Sequence, residues 1–288
     1  FHPFKLYLEE LPVWDGVDRL AALARRVSRD QLWVKEFHIW MRGMTAQWMG
    51  VTGSHANSVA PLLISTEQGY FKSTFCKSLL PPALQRYYIE RRLAEMGLLN
   101  LDEFDKYAPT KMPLLKNLMQ MASLSLCKAY QKNYRSLPRI ASFIGTSNRK
   151  DLLTDPTGSR RFICVLVEYP IDCEGIDYAQ LYAQLKAEIL TGEHYWFTKE
   201  EETELQQSNM TFYRQGPVED VLRSCYRAAE KGEGCELLSS ADIFQRLKKI
   251  NPAAMRGANP ASLAQILIAV GIERKHTKFG NVYRVVSV

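Results

Sequence analysis

Lys72 and Ser73 stand where a lysine and a hydroxyl group could bind the phosphates of a nucleotide. An apolar run at 61–64 leads into the polar segment TEQGYFKST at 66–74, and the residues that follow are predicted to form a helix. A buried strand that turns into a helix presents main-chain N–H groups and the positive end of the helix dipole to phosphate oxygens. In such a P-loop the lysine reaches the β- and γ-phosphates and the hydroxyl group binds Mg²⁺. The predicted ATP-binding residues are Gly69, Lys72, Ser73 and Thr74.

The segment departs from the P-loop pattern G-x-x-x-x-G-K-[ST] at both outer glycines. Thr66 replaces the first glycine and Phe71 replaces the last, so Gly69 is the only glycine left in the loop. Glycine normally supplies the positive φ angles and the close approach of backbone to phosphate. We therefore expect a different loop path or weaker nucleotide binding. An ordinary polar turn at the start of a helix is the alternative interpretation.

Asp102 and Glu103 form a pair of carboxylates directly after a second apolar run, LLNL at 98–101. Short apolar runs of this kind are typical of buried strands. Phosphoryl transfer depends mostly on positioning and on stabilisation of charge. We predict that Asp102 holds Mg²⁺, directly or through water, and that Glu103 orients or deprotonates the attacking water. A solvated acidic turn is the alternative.

Asn148 follows a third apolar run, which ends in the polar sequence GTSN. Its side chain could hydrogen-bond the attacking water beside the γ-phosphate, although an ordinary glycine-containing turn fits the same residues. Arg160 and Arg161 come next, in DPTGSRRF, just before a predicted strand. An arginine inserted into a neighbouring subunit's site stabilises the charge of the transition state. Spacing does not decide which of the two would do so, and a surface basic pair is the alternative.

The elements that must position these residues follow from the same pattern. Apolar runs that end in polar side chains predict an α/β domain at 55–212, in which 171–212 continue as helix over the sheet. Residues 1–54 are predicted to form a helical N-terminal extension, and 213–288 a separate basic domain. A stripe of large apolar residues in the extension predicts packing against a core: Trp33, Phe37, Trp40, Met44 and Trp48.

Composition predicts a globular cytoplasmic protein. The sequence has 288 residues, of which 46% are hydrophobic and 24% charged, enough for two domains or one domain with an appendage. No apolar stretch is long enough for a membrane span, and no secretory leader is visible. Six scattered cysteines suit reduced thiols. Because the sequence begins with Phe1 and not Met, we expect it to be a fragment of a longer protein.

The net charge of +6 is concentrated in two basic blocks. Residues 111–161 have ten Lys or Arg against two Asp, and residues 213–288 have twelve against seven Asp or Glu. Clustered positive charge is the electrostatic signature of a protein that binds a polyanion. Cations interleaved with tyrosines in the first block suit single-stranded DNA, and a solvated basic loop fits equally well. The predicted DNA-binding residues of this block are Lys128, Lys132, Tyr134 and Arg135.

The second block is predicted to form a winged helix, in which three helices are followed by a β-hairpin that turns at 279–281. The predicted helices are 219–230, 241–249 and 262–270. Basic residues on the wing would contact phosphates without reading sequence. These predicted DNA-binding residues are Arg274, Lys275 and Lys278. A protein-docking module is the alternative.

The chain resembles the virulence-associated protein E (VirE/VapE-like) family of mobile-element and phage proteins, which are related to the superfamily 3 helicases and primase-helicases within the AAA+ ATPases. The resemblance covers roughly 1–170, with a C-terminal part that looks like that of Bacteroides-type members. It is carried by the segments FHPFKLYLEELPVWDGVDRL, STEQGYFKSTF, LLNLDEFD and YRSLPRIASFIGTSNRKDLLTDPTGSRRF.

The resemblance implies an AAA+-like P-loop fold and ATP hydrolysis in a homo-oligomeric ring, coupled to DNA during replication of a mobile element or phage-like genome. It further implies the roles of Walker A for Lys72 and Ser73, Walker B for Asp102 and Glu103, sensor 1 for Asn148, and arginine finger for Arg160 or Arg161. It would also make the first basic block a DNA-gripping hairpin in a central pore. The alternative function is a nucleotide-gated DNA-binding adaptor that does not hydrolyse ATP.

Overall fold

The chain folds as two units, Phe1–Tyr213 and Arg214–Val288. The computed structural model describes residues 2–53, 55–88, 95–126, 135–153, 156–213, 216–230, 232–278 and 280–288. No described helix is long and apolar enough to cross a membrane.

Helices and short strands alternate along the first unit. Its helices are α1 (Pro3–Glu9), α2 (Arg19–Arg25), α3 (Gln31–Met49), α4 (Lys72–Ser78), α5 (Met112–Gln120), α6 (Tyr178–Leu190) and α7 (Lys199–Ser208). Its strands are β1 (Ala60–Ile64), β2 (Leu98–Leu101), β3 (Ser123–Leu126), β4 (Arg135–Pro138), β5 (Ser142–Ser147) and β6 (Phe162–Leu166). Short 3₁₀ helices span Pro82–Tyr87, Phe104–Lys106, Pro109–Lys111, Pro156–Arg161 and Asn209–Phe212.

Four parallel strands form the central sheet, in the order β2-β5-β1-β6. The apolar runs that predicted strands therefore are strands, and the α/β class is confirmed. Each strand ends at the same edge of the sheet, because parallel neighbours run in one direction. The polar residues that follow β1, β2 and β5 are thus brought together by the topology. A separate antiparallel hairpin, β3–β4, lies in the chain between α5 and β5.

The sheet is buried on both faces by two hydrophobic layers. On β1, Leu63 packs with the layer that contains α1, α2, α3, α4 and α6, whereas Leu62 and Ile64 pack with the layer that contains α5. Successive side chains of a strand point to opposite faces, so a strand buried on both sides has a continuous apolar sequence. This explains why the strands were visible as unbroken apolar runs.

The N-terminal helices α1, α2 and α3 form part of the first of these layers. All five residues of the aromatic and methionine stripe on α3 are at most 2% exposed, which confirms the predicted packing. Helix α1 lies so close to the start of β2 that a Cβ on Gly97 would be 2.2 Å from the Phe4 ring. Asp18 caps α2 by accepting the Ala21 N–H at 3.0 Å.

Residues 171–212 form two helices, so the prediction of continuous helix was wrong there. Helix α6 ends at Leu190, whose side chain is 69% exposed, and Gly192 then takes a φ of +96°. Helix α7 begins with a capping box, in which the Thr198 and Glu201 side chains each accept the other residue's main-chain N–H. Side-chain capping of this kind starts a new helix independently of the preceding one.

The second unit contains α8 (Pro217–Cys225), β7 (Tyr226–Ala228), β8 (Glu236–Ser239), α9 (Ser240–Ile250), α10 (Pro260–Ala269), β9 (Arg274–Thr277) and β10 (Gly280–Ser287). Strand β10 is central: Val285 pairs with both β7 and β8, and Val282 pairs with both β8 and β9. Thus β8 lies on one edge of β10, and β7 and β9 follow each other along the opposite edge. The predicted helix 219–230 ends at Cys225, because residues 226–228 pair with β10 instead.

Candidate nucleotide-binding site

Four of the predicted site residues meet at the carboxyl edge of the parallel sheet. Lys72 and Ser73 open helix α4 after β1, Asp102 follows β2, and Asn148 follows β5. Strand β5 lies between β1 and β2, so the three loops are neighbours. Ligands of open α/β sheets bind outside the carboxyl ends of the strands.

The Lys72 side chain is buried and hydrogen-bonded at the centre of this cluster. Its Nζ donates to the main-chain oxygens of Ser65 at 3.3 Å and Glu67 at 3.4 Å, and to Asn148 Oδ1 at 3.1 Å. Burial lowers the pKa of the ammonium group, while the carboxylates of Asp102 and Asp105 act in the opposite direction. All three acceptors are neutral oxygens, so the positive charge is available to a phosphate.

The loop before Lys72 bends back through left-handed backbone at two positions. Gly69 has a φ of +80° and Phe71 a φ of +56°. Left-handed backbone costs a residue with a Cβ about 1 kcal/mol or more. Phe71 thus adopts the conformation for which the P-loop pattern uses glycine, and its ring is 54% exposed. Thr66, Gly69 and Thr74 are exposed as well.

Ser73 and Asp102 form a direct hydrogen bond. Ser73 Oγ donates to Asp102 Oδ1 at 3.0 Å, and Thr146 Oγ1 donates to the same oxygen at 2.5 Å. Mg²⁺ binds through oxygen atoms, which include carboxylates and the hydroxyl group of a P-loop serine or threonine. The Ser73 and Asp102 side chains therefore fit a shared magnesium ion.

Glu103 has an unusual backbone and an ion-paired side chain. Its φ is +50°, and Glu103 and Phe71 are the two described non-glycine residues with positive φ. Its Oε1 accepts from Lys106 Nζ at 2.6 Å, and both side chains are largely exposed. Such strain tends to occur at functional sites, where the surroundings hold an otherwise unfavourable conformation.

Two residues of the cluster were missed by the sequence analysis. Thr146 joins Asp102 to the Glu103 N–H, which donates to Thr146 Oγ1 at 3.3 Å. Asp105 Oδ1 accepts from Ser147 Oγ at 3.0 Å and from the Asn148 N–H at 3.3 Å. The sequence feature that could have revealed them is the density of polar residues in DEFD, directly after β2, and in GTSN, at the end of β5.

Arg160 and Arg161 lie at the amino ends of the parallel strands, whereas the cluster lies at their carboxyl ends. They immediately precede β6, whose first residue, Phe162, pairs with Ala60, the first residue of β1. The cluster follows the last residue of β1, which is about 13 Å away at 3.3 Å per residue. Arg160 donates to Glu202 Oε2 of α7 at 3.2 Å. The main chain of both arginines thus lies about one strand length from the cluster of their own chain.

The predicted DNA-binding residues fall in two places. Lys128, Lys132 and Tyr134 lie outside the described residues, and Arg135 begins strand β4. In the second unit, Arg274, Lys275 and Lys278 are exposed. Arg274 and Lys275 are consecutive on β9, so they belong to opposite faces of the sheet.

The α/β fold and this cluster are compatible with a P-loop-like core. The chain belongs to the virulence-associated protein E-like family, because the model of the virulence-associated protein E-like domain matches residues 8–214. This confirms the resemblance seen in the sequence. Residues 215–285 match a domain of unknown function described from B. Theta.

Solved structures similar to this chain include two of the NrS-1 C-terminal region, both in the A form without ligand, one of them spanning residues 305–718. Each match covers 98% of this chain and 78% of that chain, with sequence identities of 11% and 12% and TM-scores of 0.46 and 0.45. No curated protein matches the chain significantly.

Proposed function

We propose that this protein hydrolyses ATP with Mg²⁺ and couples the hydrolysis to DNA binding or unwinding. The observation that carries the proposal is the contact between Lys72 and Asn148 beside the Ser73–Asp102 pair, at the carboxyl edge of a parallel sheet. Lysine, hydroxyl, carboxylate and amide groups in this arrangement match the parts that phosphoryl transfer needs.

In this proposal the start of α4 binds the phosphates. Its N–H groups and the Lys72 ammonium group contact the β- and γ-phosphate oxygens. Ser73 and Asp102 would hold Mg²⁺, which would supply positive charge beside the phosphates. Because Lys72 is buried against neutral carbonyl groups, its charge is little screened by water.

Glu103 and Asn148 orient the attacking water. Asn148 can offer its amide group once a phosphate replaces it as the partner of Lys72. Glu103 must leave its ion pair with Lys106 to act as a base, and that pair is exposed and therefore weak.

We also propose that the protein works as a homo-oligomeric ring. Arg160 and Arg161 lie about one strand length from their own cluster, so an arginine finger from this pair would serve a neighbouring subunit's nucleotide. Arg160 would then exchange Glu202 for a phosphate oxygen. This ring, with its AAA+-like core, is the arrangement that the resemblance to superfamily 3 helicases implies.

DNA would be contacted by the two basic blocks. In the first block these are Lys128, Lys132, Tyr134 and Arg135, of which Arg135 begins strand β4, and β4 leads directly into β5 and Asn148. In the second unit, the order of helices and strands supports a winged helix with β9 and β10 as the wing. Helix α10 has no Lys or Arg, which favours phosphate contacts from the wing over base readout.

Family membership supports a biological role in the replication of a mobile element or phage-like genome. In that role the chain would be the helicase part of a primase-helicase of the superfamily 3 type.

A nucleotide-gated adaptor that does not hydrolyse ATP is the second candidate. It is favoured by the replaced glycines at Thr66 and Phe71 and by the engagement of Glu103 with Lys106. In this case ATP would only shape a DNA-binding assembly.

Phosphate release with and without single- and double-stranded DNA tests the proposal. Lys72→Ala and Glu103→Gln should both abolish DNA-stimulated release. If wild-type protein releases no more phosphate than these variants but still binds ATP, the adaptor is correct. If it binds no ATP either, both candidates fail.

A further inference from the structure

We propose that Asp105 is a positioning residue that holds Asn148 in place for the attack on ATP. The proposal rests on the proposed function for its kinetic consequence. Its structural part, that Asp105 fixes the main chain at Asn148, stands on the hydrogen bonds alone.

Strand β5 extends past the end of its neighbour β2. The last register pair between them is Leu101 with Gly145, whereas β5 continues through Thr146 and Ser147 to the site. On its other side, β5 stays paired with β1 up to Ile64 and Ser147. Among the described strands, the tip of β5 therefore pairs on one side only, and on the other side it depends on side chains.

Asp105 supplies the missing acceptor on that open side. Its Oδ1 accepts the main-chain N–H of Asn148 at 3.3 Å and the hydroxyl of Ser147 at 3.0 Å. The 3₁₀ helix Phe104–Lys106 holds Asp105 in place, because Phe104 is buried in the core. The Asn148 N–H is thus bonded to an element that Phe104 anchors in the core.

The effect on Asn148 is directional. The Asn148 side chain accepts from Lys72 at 3.1 Å while its main chain donates to Asp105. When a phosphate replaces Asn148 as the partner of Lys72, the bond to Asp105 is the one of the two that remains. Without that bond Asn148 would sample several positions, and small misplacements of a catalytic group cost rate.

Asp105 acts in this proposal as a hydrogen-bond acceptor, and its charge is secondary. Asparagine at position 105 keeps an Oδ1 acceptor of the same shape but has no charge. Alanine removes both the acceptor and the charge. Comparison of Asp105→Asn with Asp105→Ala therefore separates positioning from electrostatic support of Lys72.

A matched control is Asp242→Ala. Asp242 Oδ2 accepts the main-chain N–H of Ser239 at 3.3 Å and the Ser239 hydroxyl at 2.6 Å, and it lies in the second unit. This variant removes the same kind of bonds, and it should change neither the exchange of the Asn148 amide nor phosphate release without DNA.

The first measurement is hydrogen exchange of the Asn148 amide in the full chain without nucleotide. Loss of a hydrogen bond to a carboxylate should speed exchange by ~10-fold or more in Asp105→Ala, and Asp105→Asn should stay close to wild type. Unchanged exchange in Asp105→Ala would overturn the proposal whether or not the protein hydrolyses ATP.

The second measurement separates binding from rate. Affinity for ATP should stay within about twofold in Asp105→Ala, and phosphate release should fall by ~10-fold, because only positioning is lost. An equal loss in Asp105→Asn would assign the effect to charge and sink the positioning role. If wild type releases no phosphate above Lys72→Ala, the proposed function fails, and the exchange result alone decides the role of Asp105.

Discussion

The Lys72 ammonium group lies 3.1 Å from the side-chain oxygen of Asn148, although 76 positions separate the two residues in the chain. The contact joins the start of α4 to the end of β5 across the carboxyl edge of the sheet. It places a buried positive charge next to a neutral amide, where an incoming phosphate can take the place of the amide oxygen.

Asn148→Asp should stabilise the protein without nucleotide and weaken its binding of ATP. A carboxylate next to the buried ammonium group forms a charge-assisted bond, which we expect to add about 1 kcal/mol to the free energy of unfolding. The same carboxylate repels phosphate. Urea denaturation and an ATP titration measure the two effects, with Asn148→Ala as the control that removes the acceptor. Tighter ATP binding by Asn148→Asp would contradict the site.

Phe71→Gly should bind ATP more tightly than wild type, because glycine allows the loop backbone to approach the phosphates closely. Glycine adopts the observed φ of +56° without steric cost, and the exposed ring contributes little to the core. Relief of about 1 kcal/mol of backbone strain is offset by the entropy of glycine in the unfolded chain, so stability should change by less than about 1 kcal/mol.

Phe71→Ala is the matched control for the loop, because it removes the ring and keeps the Cβ. If it raises ATP affinity as much as Phe71→Gly does, obstruction by the ring is the cause and not backbone conformation. Isothermal titration with both variants distinguishes these outcomes.

Thr146→Val should lower the free energy of unfolding by about 1–2 kcal/mol. The hydroxyl is buried and joins the Asp102 carboxylate to the Glu103 N–H, and valine leaves that N–H without this acceptor. Thr45→Val is the control, because Thr45 donates only to Met41 O within its own helix. Denaturant titration measures both variants. Equal losses would show that the hydrogen bonds of Thr146 to Asp102 and Glu103 add nothing to the free energy of unfolding.

Glu36 should make the free energy of unfolding depend on pH. It is 4% exposed, its Oε1 lacks a hydrogen-bond partner, and burial raises its pKa to about 8, with the Glu204 carboxylate adding to the effect. The unfolded chain loses this proton near the ordinary glutamate pKa of 4.5, so the folded state holds more protons between about pH 4.5 and pH 8. The free energy of unfolding therefore falls as pH rises through that window.

Glu36→Gln should remove this pH dependence. The variant should gain stability relative to wild type as pH rises from 5 to about 8, with little further gain above that. Urea denaturation at a series of pH values measures the difference, and the exposed Glu9→Gln is the control. A constant difference at every pH would mean that Glu36 is already ionised in the folded protein.

The basic wing residues should give DNA binding a steep salt dependence. Arg274→Ala and Lys275→Ala should each weaken binding to DNA of any sequence and reduce the slope of log affinity against log salt by about one. Arg223→Ala, which removes a cation already paired with Glu219 on α8, is the control. A slope near zero in wild type would favour a protein partner for the second unit.

Much of the site could be predicted because its residues follow local patterns. Strands buried on both faces have continuous apolar sequences, and parallel strands end at one edge, so Lys72, Asp102 and Asn148 could be expected near one another. The stripe on α3 was equally clear, because helical spacing is a property of neighbouring residues.

The errors in secondary structure have a tertiary origin. Residues 226–228 continue the amphipathic pattern of α8 but pair with β10, which lies nearly 60 positions later in the chain. The helical propensity of residues 226–228 depends only on neighbouring residues and carries no information about β10. The sequence pattern therefore favoured a longer helix. The break after Leu190 depends likewise on where the next helix is capped.

The amino-acid sequence by itself determined which polar residues follow each buried strand and that the chain belongs to a family of virulence-associated E-like proteins. Only the tertiary structure decided that Asp105 holds Asn148, that Phe71 takes left-handed backbone, and that Arg160 lies at the opposite edge of the sheet. The reason is physical: burial patterns depend on neighbouring residues, whereas a hydrogen-bond partner depends on the register of strands that are distant in sequence.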